Sequence, residues 1–174
     1  MRRFSAIVFT LFLALGLKAQ GLEMLDRVKD SRASFHYTYL LSRDGGEFAR
    51  VTDGDVTVED NAYVLEGLGL KVTSDGKTRL SVDPQAREAV VETVQKEDIF
   101  TNPALFIGSW RKYSSRLKVN SCTGDSMDVT LVLDDDTLAR FVLSGISFTE
   151  KQGMADFSTD FSTLPSDYFL TDLR

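Results

Sequence analysis

From residue 33 onward the apolar positions of this chain recur with a period of two. Phe35, Tyr37, Tyr39 and Leu41 fall on one side of the segment 33–41, with Ser34, His36 and Thr38 on the other. That is the alternation of a half-buried strand. Just ahead of it the period is helical. Leu22, Leu25 and Val28, with Met24 beside them, form one apolar stripe, while Asp26, Arg27 and Lys29 lie elsewhere; an amphipathic helix is predicted over 21–31. A second strand pattern spans 47–59. It is broken at Asp53-Gly54-Asp55, where a glycine inside a strand pattern predicts a bulge or bend. Asp60-Asn61 then turns into Tyr63-Val64-Leu65.

The stretch from Gly69 to Val94 organises the middle of the chain. Leu70-Val72-Ser74 and Thr78-Leu80-Val82 flank Asp75-Gly76-Lys77, and Asp-Gly between alternating segments predicts a hairpin whose tight turn needs positive φ. Asp83-Pro84-Gln85 makes a second turn and 88–94 a third strand, giving an antiparallel meander. Next, Asn102 and Pro103 carry the chemistry of a helix cap and first turn. The helix they open is apolar over most of its circumference, with Leu105, Phe106, Ile107 and Trp110, and ends at Ser114-Ser115. Strands are predicted at 117–122, 127–133 and 138–143, the last continuing through a bulge at Ser144-Gly145 to Phe148. Residues 155–161 are expected to pair back as a strand, and 168–170 to be extended. An antiparallel sheet of roughly ten strands must curl. With helices against one face, the expected fold is α+β: an open, curved half-barrel whose concave face is covered by helices.

At 174 residues the chain has the length of one domain, with no repeat or linker. Its start changes the picture of where it works. Arg2-Arg3, an apolar run over 4–17 and Lys18-Ala19-Gln20 have the layout of a secretory signal. The run is short for a membrane span. Cleavage is expected near Ala19, leaving 20–174 as a single exported domain; the rival reading is an uncleaved anchor. No cysteine stands at the cut, which excludes lipid attachment there. Removal of 1–19 takes out three positive charges and deepens the net charge from −6 to −9. An acidic chain is a poor partner for nucleic acid and is repelled by anionic headgroups.

Candidate chemistry is sparse. His36 is the only histidine and sits mid-strand, where a solvent-facing role is the ordinary one. Cys122 is the only cysteine, so no internal disulfide forms, and a nucleophilic role would need a base beside it. Asp134-Asp135-Asp136 reads as a solvated turn before it reads as a calcium site. No zinc cluster and no phosphate loop is present, and no enzyme activity, metal or cofactor is expected.

The aromatic residues carry the functional content. Phe35, Tyr37, Tyr39, Phe48, Tyr63, Phe106, Trp110, Phe141 and Phe148 are large side chains that form either an ordinary core or the wall of a pocket. A half-barrel closed by an apolar helix could leave an oily space for an elongated ligand. Moving an alkyl chain out of water is favourable by about 0.8 kcal/mol per CH₂, so a lipid tail crossing water needs an escort.

One pattern has a relative. Ser74-Asp75-Gly76-Lys77-Thr78, Asp83-Pro84, Glu88 and Asn102-Pro103-Ala104, with Ser34-Phe35-His36, Gly54-Asp55-Val56 and a closing Leu164-Pro165 … Asp172-Leu173-Arg174, resemble the periplasmic lipoprotein carriers called LolA. The resemblance implies an incomplete barrel with a helical lid and a carrier without catalysis or cofactor. Such a protein takes lipoproteins from an inner-membrane release complex, shields their acyl chains and passes them to an outer-membrane receptor. By that resemblance Leu70, Val72, Leu80 and Val82 would supply sheet and cavity wall, Tyr63 and Leu65 would match two aromatic positions, and Leu105, Phe106 and Trp110 would belong to the lid. The chain departs from the pattern where a lid-holding arginine is usual: Glu59-Asp60-Asn61 stands there. Arg50 or Arg79 could substitute for it. The expectation is therefore a periplasmic, monomeric carrier of lipoprotein acyl chains. A lipid- or glycolipid-binding module of the same fold, and an interaction protein with a filled core, are the alternatives.

Overall fold

The computed structural model describes residues 19–95 and 103–174. All but the last residue of the expected leader over 1–19, the connection over 98–101 and the Asn102 cap lie outside the described residues. The protein is α+β; among the described residues there are two α-helices and an open ten-stranded sheet. Residues 19–30 form α1. The strands are β1 (Arg32–Arg43), β2 (Ala49–Glu59), β3 (Ala62–Gly67), β4 (Leu70–Ser74), β5 (Thr78–Asp83) and β6 (Glu88–Thr93), then α2 (Pro103–Ser109), and β7 (Leu117–Cys122), β8 (Met127–Val132), β9 (Thr137–Thr149) and β10 (Phe169–Asp172). In space they run β10-β6-β5-β4-β3-β2-β1-β9-β8-β7. All neighbours are antiparallel except β10, which lies parallel to β6.

The first strand sits inside the sheet because two meanders close on it, β2 from one side and β9 from the other. Its inward row Ala33, Phe35, Tyr37 and Tyr39 is buried. Both helices cover that face. Leu25 and Val28 of α1, Ala104, Phe106 and Ile107 of α2, and Trp110 join Val56, Val58, Tyr63, Met127, Val129, Leu131, Phe141 and Leu143 in one core. Full burial of each large apolar side chain contributes on the order of 1.5–3 kcal/mol. Past Ser109 the helix tightens into a 3₁₀ turn over Trp110–Tyr113, a common ending. The Arg111 guanidinium grips both Asp26 carboxylate oxygens at 2.9 and 2.8 Å and ties that turn to α1.

Two expectations are corrected. Residues 155–161 are not a strand. Met154–Phe157 and Phe161–Thr163 are 3₁₀ turns that cross the opposite face of the sheet. The buried Glu59 carboxylate starts the crossing by accepting from the Gln152 and Gly153 N–H groups at 3.0 and 2.8 Å. Phe157 then plugs in fully buried, and Phe161, Leu164 and Tyr168 roof a second small core of Leu80, Ala89 and Val91. Backbone donors satisfied by a buried carboxylate explain why a segment with strand-like alternation leaves the ladder. Secondly, Gly54 marks no bulge. It pairs in register with Tyr37, and the irregularity in β1–β2 falls between Tyr39 and Leu40 instead. The bulge near Ser144-Gly145 does occur, as a register shift against Ser34 and His36.

Candidate functional site

The register of the meander sorts the candidate residues onto two faces. Tyr63, Ser74, Arg79 and Glu92 form one cross-strand row, and Leu65, Val72, Ser81 and Val90 the next on the same face. Val64, Thr73, Leu80 and Val91 form a row facing the other way, as do Glu66, Lys71, Val82 and Ala89. Leu80 and Val82 are thus not part of a wall shared with Leu70 and Val72. They belong to the small core under the C-terminal segment. Because side chains alternate, pairing Ser74 with Arg79 puts Val72 opposite Ser81 and sends Leu80 to the far side. Phe48 also lies on the far face, with the Arg140 guanidinium 5.7 Å from its ring centre.

On the helix-bearing face the aromatic residues pack rather than line a space. The Phe141 ring stacks on Phe106 at 4.5 Å, on Tyr39 at 5.1 Å and on Tyr37 at 6.2 Å. Between Phe35, Tyr37, Phe106, Ile107, Met127, Val129, Phe141 and Leu143 only about 10 Å³ is left, room for no more than a single water. Trp110 is buried in the same core, and Leu105 and Phe148 lie partly buried against it. Arg27 caps the Phe148 ring at 4.0 Å. The expected empty room beneath α2 is filled by protein.

Space opens instead beside the helices, over β2–β5. A groove of about 360 Å³ is lined by Tyr39, Val51, Thr52, Tyr63, Leu65, Gly67, Leu68, Leu70, Val72, Arg79, Ser81 and Glu92. Five of the expected residues meet there: Tyr39, Tyr63, Leu65, Leu70 and Val72. One of the lining residues is a glycine, Gly67. Gly54 and Gly67 lie side by side on adjacent strands, and a Cβ on Gly67 would stand 2.1 Å from the Asp53 carbonyl oxygen and 2.8 Å from the Gly54 Cα. Only glycine allows so close a backbone approach. The sequence marks Gly54 as a glycine inside a strand pattern, but not that Gly67, at the end of β3, faces it.

The groove is apolar along most of its length and polar at one flank, where Arg79 Nε donates to Glu92 Oε1 at 3.0 Å beside Ser81. Burial pushes the Tyr37 phenol up, with the Tyr39 and Tyr63 phenols adding to it; burial also raises Tyr39, partly offset by Arg43. Both therefore stay protonated over the physiological range. Arg50, a possible stand-in for the lid-holding arginine, pairs with Asp53 at 3.4 Å and is mostly exposed. Arg79 is engaged with Glu92.

His36 and Cys122 lie on opposite faces. Cys122 shares a row with Met127, Leu143 and Tyr37 on the helix-bearing side, whereas His36 meets Asp55 at 3.1 Å on the other. They form no dyad, and burial pushes the Cys122 thiol up, away from the thiolate form. The Asp134 carboxylate closes its own turn by accepting the Asp136 N–H at 3.0 Å. Among the described residues no helix is long and apolar enough to cross a membrane.

No protein-family model matches the chain, and no curated protein matches it. Among solved structures it is similar to an uncharacterized conserved protein from Thermus thermophilus, at 11% identity over 87% of this chain and 98% of that one, with a TM-score of 0.45.

Proposed function

We propose that this chain is a non-catalytic lipid carrier that shields an alkyl chain in the groove over β2–β5, exported to the periplasm and acting on lipoproteins in the manner of the LolA family it resembles. One observation carries the reading: a preformed, mostly apolar groove on the helix-bearing face of an open sheet, with its charged side chains at the Arg79–Glu92 flank. In this reading the sheet is an incomplete barrel, and the groove is the part of its concave face left uncovered. An amphiphile would lay its tail against Tyr63, Leu65 and Val72 and keep its polar end toward Arg79 and Ser81. No nucleophile or base needs to act, since shielding alone offsets the cost of carrying the chain through water.

The groove volume favours a second reading. About 360 Å³ is near the lower end of small-ligand sites, which run from about 300 to 1,000 Å³. It suits one chain rather than several, and so a free single-chain lipid or glycolipid as cargo. Mass spectrometry of material co-purifying with the exported protein decides between them. Covalently lipidated protein supports the first reading and free lipid the second. Neither survives if no lipid co-purifies and no fluorescent fatty acid binds, with Val72→Glu as the groove-blocking control.

A further inference from the structure

The hairpin joining β3 to β4 closes with two residues, since Gly67 pairs with Leu70. Leu68 and Gly69 both take positive φ, 53° and 79°, the geometry of a type I′ turn, whose first position ordinarily holds Asn, Asp or Gly. A branched aliphatic residue there is strained. It is also not buried: Leu68 is 66% exposed, with Leu70 at 40% and Val51 at 49%. All three stand at the rim of the groove. Neither backbone geometry nor core packing accounts for a leucine at this position.

We propose that this apolar hairpin tip is a lipid-surface contact through which the groove meets a bilayer. The inference rests on the carrier reading for its purpose. Charge at the rim argues for an uncharged surface. Of the cations next to these positions in sequence, Lys71 pairs with Glu66 at 2.8 Å on the other face of the sheet and Arg50 with Asp53 at 3.4 Å, so they are matched by acids and present neither a cationic patch to anionic headgroups nor a single-sign field to a charged protein. Its size argues against a second copy. Three aliphatic side chains expose a few hundred Å² at most, well short of the roughly 1,000 Å² that a stable protein interface needs. Immersing three aliphatic tips in the interfacial zone of a bilayer needs no such area.

The test uses flotation of the protein with neutral phosphatidylcholine vesicles, comparing the wild type with Leu68→Asn. Asparagine suits the turn, so the variant should melt at a higher temperature than the wild type while its vesicle partition falls about tenfold, the loss expected for one buried leucine. Wild-type protein that stays in solution at every lipid concentration overturns the inference, as does a variant that floats equally well. A wild-type dimer that Leu68→Asn disperses, without flotation, would assign the tip to self-association and also overturn it. Uptake of a fluorescent fatty acid without vesicles reads the groove alone. Protein that binds the dye but does not float keeps the carrier reading and loses this one, whereas protein that floats without taking up dye loses only the carrier reading.

Discussion

The outer face of β8 and β9 shows how one residue can hold a strand pair through charge. Partial burial pushes the Asp128 carboxyl up, but hydrogen bonds from Arg140 and Asn120, together with the Arg140 charge, outweigh it and hold the group below the usual carboxylate range. Arg140 Nε donates at 3.0 Å and Asn120 Nδ2 at 2.9 Å. A carboxyl depressed in the folded state contributes stability that is present above its unfolded value and lost as pH falls through the folded one. Thermal melts of wild type and Asp128→Asn should differ most near neutral pH and converge below about pH 4. A gap that stays constant down to strong acid would mean that the variant loses packing and not the ion pair. None of this is readable from residue 128 alone, since Arg140 and Asn120 reach it across neighbouring strands.

At the scale of the element, glycines separate what the chain makes legible from what it does not. Asp75-Gly76-Lys77 announces a hairpin, and Gly76 indeed takes φ 88° while the Asp75 carboxylate accepts from Lys77 and Thr78. Gly54 is equally visible, yet its reason is a backbone contact with Gly67 on the next strand, which needs the pairing to be known. The two kinds of glycine should respond differently to alanine. Gly67→Ala forces a Cβ against backbone atoms that cannot rotate away, and should cost about 1–3 kcal/mol. Gly69→Ala meets nothing within 4 Å and suffers only from its positive φ, a loss of about 1 kcal/mol. Urea denaturation of both variants tests this, and equal losses would place the Gly67 effect in conformation rather than contact. Alternation in 155–161 misleads for a related reason: Glu59 captures the Gln152 and Gly153 amides, an event far away in sequence that decides whether the segment joins a ladder.

For the whole molecule, the sheet, its ten strands and the helix-bearing face are legible because period-two alternation survives any topology. The position of the open space is not, because an aromatic row reads the same whether it lines a space or fills one. Phe35, Tyr37, Phe106 and Phe141 fill it, and the open volume lies beside them, over β2–β5. Under the proposed carrier role, two seats for an alkyl chain compete. One is ready-made over β2–β5; the other would have to be opened by lifting α2 and Trp110 off the core. Lifting would expose Ala104, Phe106 and Ile107 together, all of which are buried, at a cost of several kcal/mol, whereas the groove needs no rearrangement. Hydrogen exchange read by mass spectrometry with and without a saturating fatty acid distinguishes them. Amides over 63–72 should slow on binding, while those of α2 keep their rate. Faster exchange in α2 on binding would move the ligand beneath the helix and make the aromatic core, not the groove over β2–β5, the place where an alkyl chain is held.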